Sequence, residues 1–274
     1  MTIEQVISKV HTAAPEHDFA PGFPSVDTIK YGDIKKECTG VALACAPSAQ
    51  VLKTMGEKGL NLLIAHEPLF YTNVDTTDWL EAKSDVYEAK KAILDKYHIV
   101  VWRYHDHMHV HKPDMIYTGV ARELGWMPYL EGDKNKPVFF RLPETTLKKL
   151  AEYLKEKIGL NNVRCIGNMN AKVSTVYMCG HLHPSGDERE QAHVRPFFEK
   201  NADVLIPGEI LDWTAISYAR DAGELGLNKA IINLGHFNLE ELGMKGLVPW
   251  VKDVLENELP VEYVKSADTY NYLS

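Results

Sequence analysis

Histidine and carboxylate side chains stand at the ends of apolar runs in this chain. Together those residue types suit zinc, iron, manganese or cobalt. His66 and Glu67 follow the run at residues 60–64 directly, and Pro68 comes next. Proline removes a backbone donor and biases Glu67 away from helical geometry, so a strand is expected to stop there. Side chains alternate faces on a regular strand, so His66 and Glu67 can serve one cavity only where the backbone turns. His109, His236 and Glu240 stand at later run ends and complete a candidate ligand set, in which a bridging Glu has room for two ions. His105, four residues before His109, is the candidate for proton transfer, and Glu209 is a second candidate for that role.

Residues 105–111 hold four histidines at alternate positions. On an extended strand these share one face but span roughly 20 Å at about 3.3 Å per residue, so one or two at most reach an ion. His107 and His111 are therefore expected as supporting or solvated groups. Gly180-His181-Leu182-His183 resembles the closing Gly-His-x-His of calcineurin-like metallophosphoesterases, and His181 and His183 are placed to line the same cleft. The upstream Asp-x-His and Gly-Asn-His motifs of that family are missing, as is the His-x-His-x-Asp-His of metallo-β-lactamases. The chain carries neither a Walker loop nor a Gly-x-Ser-x-Gly elbow, which disfavours a P-loop NTPase or a serine hydrolase.

Several elements must position these residues. The pattern predicts a helix over 3–14, a Pro-rich loop with Pro15, Pro21 and Pro24, a strand over 41–46, a helix capped by Ser48, and the strand over 60–64. A helix from Thr77 or Asp78 to about 97 precedes a strand over 98–104, and a helix over 114–124 follows Pro113. Strand, helix (144–158) and short strand come next. Then follow a strand over 173–179, a polar helix over 188–200, a strand over 203–206, a helix over 213–225, a strand over 230–234 and a helix over 241–256. Residues 57–67 align with 199–209 and residues 101–105 with 232–236, and four positions later His109 corresponds to Glu240. The paired endings favour a duplication of one βα design over chance likeness. The fold class expected is α/β: two related halves with mostly parallel sheets flanked by helices and a metal cleft between them. The boundaries are 1–128 for the first half, 129–170 for a small connecting segment and 171–274 for the second half.

Composition bounds the partners. The 274 residues are 45% apolar and 25% charged, with a net charge of −8. That acidic balance disfavours a nucleic-acid partner. Four cysteines without CxxC spacing read as small buried apolar residues. No stretch approaches the roughly 20 apolar residues of a membrane span, and the first ten residues lack an apolar signal core, so a cytoplasmic location is expected.

Residues 64–70, 202–209 and 235–240 together resemble the NIF-three-like family of dinuclear-metal hexameric proteins, often described as GTP cyclohydrolase I type 2 homologues. Residues 142–180 are similar to the compact form of that family's middle segment, so the resemblance spans nearly the whole chain. It implies a two-metal cleft between two α/β halves, a toroidal homohexamer, and Glu240 as the residue bridging both ions. The family carries two adjacent histidines at the first motif, where this chain has His66 and Glu67. It carries a His and, four residues on, an Asp at the third, where this chain has His105 and His109. Both replacements are metal-competent, and the total donor charge is unchanged.

The expected function is a dinuclear-metal-dependent hydrolase acting on a small molecule. The family resemblance suggests a cyclic amide or purine-type ring. The rival readings are a non-enzymatic metal-binding or regulatory interaction protein, and a metallophosphoesterase.

Overall fold

Short apolar runs become the middle strands of two sheets. The computed structural model describes residues 1–14, 19, 23–182 and 186–273, so Pro15, Pro21, His183 and Pro184 lie outside the described residues. In chain order the strands are β1 (Ile29–Tyr31), β2 (Val41–Ala44), β3 (Leu62–Ala65), β4 (Val100–Arg103), β5 (Phe139–Thr146), β6 (Arg164–Ile166), β7 (Lys172–Gly180), β8 (Val204–Pro207), β9 (Ala230–Asn233) and β10 (Val261–Tyr263). One five-stranded sheet has the order β1-β4-β3-β2-β10, the other β5-β7-β8-β9-β6. In the first, β4, β3, β2 and β10 are parallel and β1 joins antiparallel at the edge. In the second, β7, β8 and β9 are parallel between two antiparallel edges. Every residue of β2, β3, β4, β8 and β9 is buried, as strands covered on both faces require. The chain thus adopts the expected mixed α/β architecture of mostly parallel sheets flanked by helices.

The residues group into two units, Met1–Gly119 with Gly243–Ala267 and Val120–Leu242 with Asp268–Ser274. Residues 129–170, set apart in the sequence as a small connecting segment, supply β5 and β6 to the second sheet. The first unit's core packs Val51, Leu52 and Met55 against Leu63, Ala65 and Leu94. The second packs Phe197, Ala219 and Ala215 against Leu205 and Ile231.

Caps and breakers set the helices. α1 (Ile3–Ala13) opens on a capping box between Thr2 and Gln5. α2 (Ala49–Glu57) opens on Ser48, whose hydroxyl accepts the Val51 N–H. α3 (Asp85–Lys96) begins later than Thr77 or Asp78. Ser84 takes the cap by accepting the Tyr87 N–H, and Ala82 at φ 56° interrupts the turn before it. α4 (Asp106–Val110) is the largest departure, because residues 105–111 form a helical turn rather than an extended run. The Asp27 carboxylate accepts the N–H groups of His105, Asp106 and His107 at 2.7, 2.9 and 2.9 Å. A cap delivered from far upstream thus nucleates a turn that local spacing does not suggest.

α5 (Met115–Glu123) follows. α6 (Leu147–Ile158) starts at Thr146 and ends at Gly159, which takes the left-handed conformation at φ 73°. Residues 144–146 belong to β5 instead. Pro196 splits the expected polar helix into α7 (Asp187–Val194) and α8 (Pro196–Glu199). Residues 212–216 make a wide turn kinked at Thr214, so α9 (Ser217–Glu224) is shorter than expected. α10 (His236–Gly246) starts five residues earlier than expected and gives way to α11 (Val248–Val254) beside Pro249. His236 and Glu240 therefore lie one turn apart on a helix. No helix among the described residues is long and apolar enough to cross a membrane.

Candidate functional site

In the first unit β3 and β4 run parallel with Ala65 opposite Arg103, so the residues just beyond them leave the sheet together. The His66 N–H still bonds the Ala44 and Cys45 carbonyls, and the Glu67 N–H bonds Cys45 at 2.9 Å. Hydrogen bonding thus carries both residues past the strand end to Pro68. They part as alternation demands. Glu67 faces Arg103 at 3.9 Å, while His66, fully buried, faces the other strand end. There α4 turns His105 and His109 to one side, the His109 N–H bonding the His105 carbonyl at 3.3 Å. The rings of His66, His105 and His109 have centroids 4.4 to 5.0 Å apart. One nitrogen from each lies within 4.8 Å of the others, and the Nε2 atoms of His66 and His109 are 3.2 Å apart.

Carboxylates hold two of these rings from behind. His109 Nδ1 donates to Asp114 at 3.0 Å, and His105 Nδ1 to Asp106 at 2.9 Å. An acceptor at Nδ1 fixes the proton there and leaves Nε2 as the donor atom for an ion. Asp114 is itself buried and accepts the Tyr117 N–H. Burial raises the Asp106 carboxyl, but hydrogen bonds from His105 and from the Val26 N–H outweigh it and hold the group below the usual range. His107 lies outside the group. Its Nδ1 bonds Asp27 and its ring stacks on Tyr104. His111 bonds the Pro113 carbonyl at 2.7 Å.

The second unit repeats the design with different donors. β7 ends at Gly180, whose carbonyl accepts the Gly208 N–H, and the Leu182 N–H bonds the Glu209 carbonyl. This brings His181 beside Glu209. Both Glu209 oxygens are used: one meets His181 Nδ1 and the other meets His236 Nδ1 at 2.7 Å. The opposite nitrogen of His236 lies 2.8 Å from Glu240, which is buried. His181, Glu209 and His236 each offer a ligand atom within 4.8 Å of the others. A side chain at Gly208 would put Cβ 2.8 Å from His181 Nδ1, so this approach needs glycine. Burial raises the Glu209 carboxyl, but bonds from His181 and His236 outweigh it and hold the group well below its ordinary value.

Against known proteins, the family model for Duf34/NIF3 (NGG1p interacting factor 3) matches residues 1–271. The chain belongs to the Duf34/NIF3 family. A GTP cyclohydrolase 1 type 2 homolog of Clostridium perfringens is 25% identical over 281 residues, covering 98% of this Duf34/NIF3 chain and 97% of that protein. Among solved structures, Staphylococcus aureus protein SA1388 is similar at 20% identity and a TM-score of 0.70, over 100% of this chain and 99% of that one. A Bacillus cereus protein related to NIF3 is similar at 16% identity and a TM-score of 0.70, over the same shares of the two chains. These two likenesses establish the Duf34/NIF3 fold.

The donor chemistry of both groups fits a divalent ion: three imidazoles in one, two imidazoles with a carboxylate in the other, and Glu240 beside them. Of the sequence candidates, His66, His105 and His109 come together in the first unit, and Glu209, His236 and Glu240 in the second. Glu67 lies outside the first group, facing Arg103, with its carboxylate within 4.8 Å of the Cys45 thiol as a further candidate ligand pair. His181 joins the second group, and the strand-end Gly-His-x-His is the signal that marks it. Asp27, Asp106 and Asp114 carry no motif. Asp27 in particular meets its partners only after the chain folds.

Proposed function

We propose that this chain is a metal-dependent hydrolase of a small molecule. His66, His105 and His109 hold one divalent ion, and His181, Glu209 and His236 hold another, with Glu240 beside His236. The observation that carries this reading is the pair of imidazoles oriented from behind by Asp106 and Asp114, an arrangement typical of ligating rather than merely packed histidines. When bound, such an ion supplies Lewis-acid polarisation and an acidified water. This chain's own residues do the rest. Asp114 and Asp106 fix ring tautomers, Asp27 holds the turn that carries two of the rings, and Glu209 accepts hydrogen bonds from His181 and His236. Glu67 keeps a place as a buried carboxylate braced by Arg103. The name of the Clostridium perfringens relative supports a cyclic amide or purine-type ring as the substrate class. The reading takes the protein as a cytoplasmic homo-oligomer, a hexamer by family.

Elemental analysis of the purified protein, followed by a hydrolase panel before and after chelation, tests the proposal. About two ions per chain, with turnover lost on chelation and restored on reloading, is the expected result. Protein that takes up no divalent ion sinks it. The complete burial of His66 favours a second reading in which the first ion is structural. Chelation then lowers Tm while no reaction is lost.

A further inference from the structure

A cavity of about 250 Å³ opens beside the second donor group. Glu209, His236, Arg164, Asn233, Phe237 and Tyr270 are among its lining residues. Drug-sized ligand pockets run to about 300–1,000 Å³, so the volume suits a smaller molecule. The two ends of the cavity differ in chemistry. At one end the charge of Glu209 is committed to two imidazoles. At the other stands Arg164, and among the described residues no carboxylate lies within ion-pair distance of it.

The sheet explains how Arg164 gets there. β6 pairs antiparallel with β9, with Arg164 opposite Asn233. The first residue of the edge strand therefore sits at the carboxyl end of β9, three residues before His236. Ligands of such sheets gather at that end. The Arg164 guanidinium lies 5.9 Å from the centre of the Tyr270 ring. Tyr270 is held in turn: its N–H bonds Asp268 at 3.1 Å, and Asp268 also accepts from Asn238 at 3.4 Å. The cavity takes in residues 235–238, where α10 begins, and the first turn of a helix favours negative charge.

We propose that this cavity is a substrate subsite selecting a small planar ring that carries an oxyanion, whether carboxylate or phosphate. The anion pairs with Arg164, the ring lies against Tyr270, and the remainder of the molecule points to Glu209 and His236. The orientation rests on the reading of the second group as the reacting end. A guanidinium fork matches either oxyanion with two parallel hydrogen bonds.

Calorimetric titration of the full chain as purified, with benzoate, phenyl phosphate and uncharged benzamide, tests this directly. Both anions are expected to bind at least about tenfold tighter than benzamide. Arg164→Gln removes that preference, Arg164→Lys keeps part of it, and Tyr270→Ala weakens all three ligands by a similar factor. Arg164 is exposed on an edge strand, and a thermal melt of each variant checks that it folds. Equal affinity for charged and neutral rings, or a preference unchanged in Arg164→Gln, overturns the subsite. So does anion binding that chelation abolishes and Arg164→Gln does not. An Arg164-dependent preference in a protein that hydrolyses nothing in the panel supports the subsite and removes the hydrolase reading. Turnover with no anion preference does the reverse.

Discussion

The two units build donor groups on one plan and fill them differently. In each, a strand delivers a residue just past its end, the next strand delivers a histidine, and a helical turn adds another donor-type residue four positions on. The first group is His66, His105 and His109, all nitrogen, with its carboxylates Asp106 and Asp114 behind the rings. The second places a carboxylate, Glu209, among the donors themselves. A nitrogen-only set leaves the full charge of an ion uncompensated at close range, so its affinity depends on the orienting carboxylates. A set containing Glu209 offsets that charge directly. The difference also shows in exposure: His66 is fully buried, whereas the Glu209 side chain is 45% exposed.

The largest effect should come from removing a ligand outright. His66→Ala is expected to remove one ion per chain and His236→Ala the other, as read by elemental analysis. A single substitution that emptied both groups would break the comparison.

The next effect tests the scaffold under the first motif. Lys90 donates to the Leu69 carbonyl at 2.6 Å, just past His66 and Glu67. Burial, partly offset by Asp75, lowers its pKa to about 8 from 10.5. Between those values the unfolded chain binds more protons than the native one, so stability rises with pH. From pH 8 to 10.5 wild-type protein should gain about 3 kcal/mol relative to Lys90→Met in chemical denaturation. Parallel pH profiles for the two proteins would remove the account.

Asp114→Asn sharpens the contrast in outer carboxylates. It should weaken metal affinity at the first group by about 10- to 100-fold and leave the second unchanged, measured by competition with a chromophoric chelator. The smallest stability effect, below about 1 kcal/mol, is expected for Gly208→Ala, because the new Cβ crowds only the His181 ring, which can swing away, and meets the Gly180 carbonyl at ordinary contact distance. Its consequence should instead appear as weaker metal binding at the second group alone. An unchanged affinity there would show that His181 contributes nothing.

Much of this was legible in the chain. Apolar runs of four to seven residues mark the buried strands, and Ser48 and Gly159 mark helix ends by their own backbone chemistry, whereas the break at Pro196 falls inside what reads as one helix. The alignment of residues 57–67 with 199–209 carries the repeated strand-turn-Glu plan in the sequence itself. Residues 105–111 were not legible. Alternating histidines fit a strand as well as a turn, and the Asp27 carboxylate that decides between them lies far upstream in sequence. The start of α10 is not legible either, because Gly235 and His236 carry no local signal of a helix that begins before Glu241.

Sequence alone determined where strands could stop and which residue types would stand at their ends, because proline, glycine and apolar runs act through local backbone geometry and burial. Only the tertiary structure decided which of those side chains meet. Orientation depends on contacts between distant residues, such as Asp27 to α4, His236 to Glu209 and the strand pairing that sets Arg164 opposite Asn233. Such contacts form only when the sheets bring together segments that the chain keeps apart.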